Sequence, residues 1–101
     1  MTPELARDHT LITISGELDA DTAWQLSTRL DDASGVVVLD LTAVPFFDSV
    51  ALACLLEASH RGVDLRVAGS PQVIRTMTLT EAHRVVPVVE SVAEALALPT
   101  R

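Results

Sequence analysis

The chain offers few side chains for chemistry. His9, His60 and His83 are far apart, Cys54 stands alone, and the clustered carboxylates Asp19, Asp21, Asp31 and Asp32 gather around one predicted helix. No histidine lies beside Cys54 or beside a serine in a nucleophile motif, so each reads as a surface or helix-end residue. One cysteine excludes an intrachain disulfide, a CxxC redox pair and a cysteine-rich zinc site, and Cys54 reads as small packing filler. Glycine-rich phosphate loops, HExxH and EF-hand spacings are missing from the sequence. The expectation is a protein that is not an enzyme, with no cofactor and no metal. Asp19 and Asp21 read as caps near the start of that helix, and Asp31 and Asp32 as solvated surface.

The informative stretch is residues 39–56, LDLTAVPFFDSVALACLL, where Asp48 and Ser49 mark the change from an extended segment to a helix. Two uses of Ser49 stay open. As an N-cap its hydroxyl accepts a first-turn N–H, worth about 1 kcal/mol; Asp48 could serve instead and leave Ser49 free. As a phosphorylation site it would place about −1.5 to −2 charge at a helix N-terminus, where anions are tolerated. At 100° per residue, Ala51, Leu52, Leu55, Leu56 and Ala58 share one face, which must be the core side. The opposite face carries Val50, Ala53, Cys54, Glu57 and His60, and its first two turns are small and apolar where a solvent face would be charged. Either neighbouring elements cover that face, or it is a partner-docking patch directly beside Ser49. A phosphate at its rim would then block a docked partner by desolvation and repulsion.

The elements that must position these residues follow from periodicity. Residues 10–15 alternate as a strand with one wetter face, and Leu5 hints at a short strand before it. Asp21, or Thr22-x-x-Gln25 as a capping box, opens a first helix whose apolar stripe is Ala23, Leu26 and Leu30. Trp24 lies about 120° from that stripe at 100° per residue, which predicts half-buried packing. Residues 36–41 are almost wholly apolar, as in a strand covered on both faces. The helix from Ser49 to about His60 stops at Gly62. Residues 63–68 form another strand, and Pro71 suits the first turn of a third helix reaching about Leu79. Residues 85–89 form a last strand, placed at a sheet edge by Pro87. Ser91-x-x-Glu94 caps a C-terminal helix through Leu98. Strands alternating with helices predict one α/β domain over residues 1–101, a central sheet covered by helices.

Composition bounds the partners. The 101 residues carry 14 acidic and 7 basic side chains, a net charge of −7, with all the basic residues arginine. That balance argues against direct contact with nucleic acid or anionic membrane surfaces. No apolar run approaches the roughly 20 residues of a membrane span, and MTPELARDHT lacks the basic and apolar regions of a secretory signal. The expected location is the cytoplasm.

Five fragments, in order along nearly the whole chain, resemble the bacterial anti-sigma-factor antagonists, a family of STAS domains. Residues 14–19 (ISGELD) resemble its GELD segment, and residues 37–41 (VVLDL) its central strand. Residues 47–49 (FDS) resemble the start of its DSSG switch segment, ahead of a leucine-rich helix. Residues 65–70 (LRVAGS) and 91–96 (SVAEAL) resemble its later strand and C-terminal helix. The resemblance implies a mixed four- to five-stranded sheet with about four helices. It implies binding to an anti-sigma factor that is a serine kinase of the histidine-kinase-ATPase type, which frees a sigma factor. Phosphorylation by that kinase at Ser49 would reverse binding, and a separate phosphatase would restore it. The ATP and Mg²⁺ would belong to the kinase. The implied docking residues are Asp19, Asp21, Asp48, Ser49, Val50, Ala53, Cys54 and Glu57. Two departures stand out. Val50 and Ala51 replace the family's second Ser and Gly, and residues 79–82 (LTEA) replace a Gly-Leu turn. The first favours a second expectation, a STAS accessory subunit bound without phosphorylation to another protein, such as the ATPase of a lipid-trafficking ABC transporter.

Overall fold

The computed structural model describes residues 9–99. In chain order the elements are β1 (His9–Ser15), α1 (Ala23–Asp31), β2 (Val36–Ala43), α2 (Ser49–His60), β3 (Asp64–Gly69), α3 (Pro71–Leu79), a 3-10 turn (Ala82–Arg84), β4 (Val88–Val89) and α4 (Val92–Ala97). The strands lie in the order β1-β2-β3-β4, and every pairing among the described residues is parallel. Each helix from α1 to α3 therefore serves as the crossover that parallel neighbours require. The fifth strand suggested around Leu5 lies outside the described residues.

Register explains which residues build the core. Leu11, Val38 and Arg66 share one row across the sheet, and Ile12, Leu39 and Val67 the next. Alternation then sends Ile12, Ile14, Val37, Leu39, Leu41, Leu65 and Val67 to the face that packs on α1, α2 and α3. The other face carries Val36, Val38, Arg66 and Ala68, all buried, with buried Ala95 of α4 packed on that side. β2 is thus covered on both faces, which its near-continuous apolar run requires.

Arg66 is a residue the sequence did not mark. It is 2% exposed on that second face. Its Nη1 donates to Ala95 O at 3.2 Å and Leu98 O at 2.7 Å, and its Nη2 to Pro99 O at 3.2 Å and Asp64 Oδ2 at 3.4 Å. A guanidinium set against the end of α4 answers the helix dipole, shares Ala95 O with Leu98 N, and gives the Leu98 and Pro99 carbonyls just beyond the helix a charged donor. It fastens the short α4 to the sheet.

Several local expectations change. Asp21 is exposed and caps nothing; Asp19 Oδ1 takes the turn instead, accepting from Asp21 N at 2.9 Å and Thr22 N at 3.1 Å. Thr22 and Gln25 form no capping box, because Thr22 Oγ1 donates to Glu17 O at 2.7 Å and accepts from Asp19 N at 2.9 Å. Trp24 is 64% exposed rather than half-buried, since α1 turns it toward β1. The last strand shrinks to Val88–Val89, because the residues before Pro87 close the 3-10 turn: Val85 N and Val86 N both donate to Ala82 O. Glu81, in the LTEA departure, enters that turn with φ +62°, a left-handed conformation that favours glycine. The Ser91–Glu94 cap forms, with Ser91 Oγ accepting from Glu94 N at 3.1 Å.

Candidate functional site

The site begins where β2 runs out. Beyond Ala43 the chain is held from two sides. Buried Ser70 donates its hydroxyl to Val44 O at 2.6 Å and accepts from Val73 N at 3.3 Å, joining this loop to the start of α3. Leu18 then forms an isolated parallel bridge with Phe47. In it Leu18 N donates to Phe46 O at 2.8 Å and Asp48 N donates to Leu18 O at 3.1 Å. Extended backbone alternates its side chains, so Phe47 enters the core at 3% exposure while Phe46 points outward at 46%.

The next residue turns the chain into α2. Asp48 has extended backbone angles and its Oδ1 accepts from Val50 N at 3.0 Å and Ala51 N at 3.2 Å. Asp48 is therefore the N-cap, and the alternative in which Ser49 caps the helix is corrected. Asp48 wins because the Leu18 bridge fixes its backbone as the last extended residue, which is the conformation a cap needs. Ser49 becomes the first helical residue, exposed, and its hydroxyl makes no hydrogen bond among the described residues.

Along α2 the faces fall as the periodicity predicts except at Leu56 and Cys54, which are both half-buried against the core. Ala51, Leu52, Leu55 and Ala58 are buried. Val50 is 44% exposed, Ala53, Glu57 and His60 are exposed, and no described element covers them. Cys54 is half-buried and packs against the core. Burial, and then the carboxylates of Glu57, Asp31 and Asp48, raise its thiol pKa above the ordinary value. The thiol stays protonated at neutral pH, which suits packing and not nucleophilic chemistry.

The Leu18 bridge also brings residues 16–19 to the loop ahead of α2. Asp19 lies one residue beyond the bridge, its Oδ1 committed to the α1 turn, while Glu17 and Asp21 are exposed on either side of it. Asp19, Asp48, Ser49 and Val50 thus belong to one end of the sheet, where β1 and β2 finish, and Ala53, Cys54 and Glu57 extend the surface down α2. Phe46 was missed by sequence reading, although the alternation of Phe46 and Phe47 before Asp48 was a sufficient signal. Among the described residues no three of His, Cys, Asp and Glu gather as a metal site, and no helix is long and apolar enough to cross a membrane.

Comparison with known proteins places this geometry. The family model of the STAS domain matches residues 2–95. The structure is similar to that of an anti-sigma factor antagonist from Mycobacterium paratuberculosis, with a TM-score of 0.79 and 26% identity over 89% of this chain and 84% of that one. It is also similar in fold to the STAS domain of a SulP transporter from Vibrio cholerae, with a TM-score of 0.69 and 19% identity over 92% of this chain and 81% of that one. The search of curated proteins gives no match.

Proposed function

The chain belongs to the STAS domain family, and from that premise we propose that it is an anti-sigma-factor antagonist working by partner switching. Unphosphorylated, it binds an anti-sigma factor that is a serine kinase of the histidine-kinase-ATPase type and frees a sigma factor. Phosphorylation of Ser49 ends the complex, and a separate phosphatase restores it. In this reading the chain is a single cytoplasmic STAS domain with no catalysis of its own, and ATP and Mg²⁺ belong to the kinase. The likeness to the mycobacterial antagonist supports the partner class.

The observation that carries the reading is the division of labour between Asp48 and Ser49. Asp48 already occupies the N–H groups of Val50 and Ala51. A phosphate on Ser49 would find those donors taken and would stand in solvent at the head of α2, ahead of exposed Val50 and Ala53. Its effect would be to put about −1.5 to −2 charge among apolar contacts that docking must desolvate. The docking residues are then Asp48, Ser49, Val50, Ala53, Cys54 and Glu57, with Asp19 and Asp21 from the adjoining loop. The helix keeps its cap throughout, so the switch need not disturb the fold.

Capture from an extract of the source cells, followed by identification, tests this. The reading expects a serine kinase whose binding is lost in Ser49→Asp and kept in Ser49→Ala. A second reading rests on Val50, which puts an exposed branched apolar side chain where the switch segment usually has a second hydroxyl. It makes the chain a fixed accessory subunit, bound for instance to the ATPase of a lipid-trafficking ABC transporter. That reading expects a stable complex indifferent to the residue at position 49.

A further inference from the structure

We propose that Phe46 is the aromatic anchor of the docking surface, seated in an apolar pocket of the kinase whose rim carries arginine or lysine side chains. The proposal rests on the antagonist reading above and assigns a contact residue outside the switch segment and outside α2.

Phe47 fills the core at this point, while Phe46 leaves 46% of itself in water three residues before Ser49. Its backbone is nevertheless fixed, because its carbonyl accepts from Leu18 N at 2.8 Å and the bridge continues at Asp48 N. A large aromatic on a pinned backbone loses little freedom when it is bound, which is the property of residues that dominate interfaces. Beyond Ser49, Val50 at 44% exposure and Ala53 are exposed apolar residues of α2. The exposed charges of the bridged loop, Glu17 and Asp21, are acidic, and Glu57 adds a third carboxylate on the exposed face of α2. Charge complementarity therefore asks for a cationic rim around an apolar pocket. The placement is consistent with the switch. A phosphate on Ser49 falls at the apolar centre, where it must be desolvated, and away from the rim, whose cations face Glu17, Asp21 and Glu57.

The test uses the purified kinase recovered by the capture experiment, titrated by calorimetry with wild type, Phe46→Ala, Phe46→Leu and Ser49→Asp. Phe46→Ala should weaken binding about 30-fold or more, as truncation of an interface anchor does. Phe46→Leu should recover most of that loss, and circular dichroism should show all variants folded. The Phe46→Ala deficit should persist at high salt, whereas wild-type affinity should fall as salt rises. If Ser49→Asp loses binding while Phe46→Ala stays within about threefold of wild type, the anchor is overturned and the switch reading stands. If Phe46→Ala loses binding while Ser49→Asp binds normally, the anchor stands and the switch reading falls. Recovery of no kinase overturns both.

Discussion

Asp48→Ala should destabilise the protein more than any substitution of Ser49, and the size of the difference follows from the capping geometry. The Asp48 carboxylate accepts two first-turn N–H groups, at 3.0 and 3.2 Å, and sits at the positive end of α2. Replacing an N-cap by alanine costs roughly 0.5–2 kcal/mol, and an anion at a helix N-terminus adds roughly 0.3–1 kcal/mol. The orphaned Ala51 N is partly shielded from water, which puts the expected loss at about 1.5–2 kcal/mol. For a domain of this size that lowers Tm by roughly 6–12 °C. Asp48→Asn keeps an acceptor and should lose less than half as much. Ser49→Ala removes an exposed hydroxyl without a partner and should stay within about 0.5 kcal/mol of wild type. Thermal unfolding followed by circular dichroism at 222 nm measures the set. Trp24 fluorescence is a poorer reporter, because that side chain is already 64% exposed in the folded state. A larger Tm loss for Ser49→Ala than for Asp48→Ala would show that the serine is the cap, and the argument for a free Ser49 would fail.

Other consequences concern the frame around the site. Glu81→Gly should raise stability by about 0.5–1 kcal/mol, since relief of a left-handed residue outweighs the exposed Arg84–Glu81 ion pair at 3.1 Å; urea unfolding checks the sign. Arg66→Met should cost about 3 kcal/mol, because the carbonyls of Ala95, Leu98 and Pro99 lose a buried charged donor, and hydrogen exchange should show α4 opening first. Cys54 should alkylate more slowly than free cysteine at neutral pH. Its folded pKa lies above the ordinary thiol value, so the rate should still be climbing at a pH where free cysteine has levelled off; iodoacetamide labelling followed by mass spectrometry measures it.

The parts of the fold that local pattern controls were legible in the sequence. The apolar run of β2 announced burial on both faces, the spacing of Ala51, Leu52, Leu55 and Ala58 announced the core side of α2, and Ser91 with Glu94 announced the start of α4. What stayed hidden depends on contacts between distant residues. Asp48 and Ser49 are both good caps, and the choice is made by Leu18, whose bridge to Phe47 no periodicity reveals. Arg66 sits among apolar strand residues, and its partners are carbonyls from about 30 residues further on. Trp24 is exposed because of where α1 ends up over β1, a matter of tertiary placement. Of the site residues, the outward face of α2 could be read, whereas the approach of Asp19 and Asp21 rested on resemblance alone until the bridge supplied its geometry. Phe46 was readable from the alternation with Phe47 ahead of Asp48.

In the proposed switch, charge at Ser49 ends docking without disturbing the fold. The direct measurement is the affinity of wild type and Ser49→Asp for the captured kinase, with thermal unfolding of the same two samples. The account predicts a loss of about 100-fold or more, the scale of burying an unpaired charge in an interface, with Tm shifted by no more than about 3 °C. Equal affinities would contradict it, and would mean that docking is blind to the residue at the head of α2.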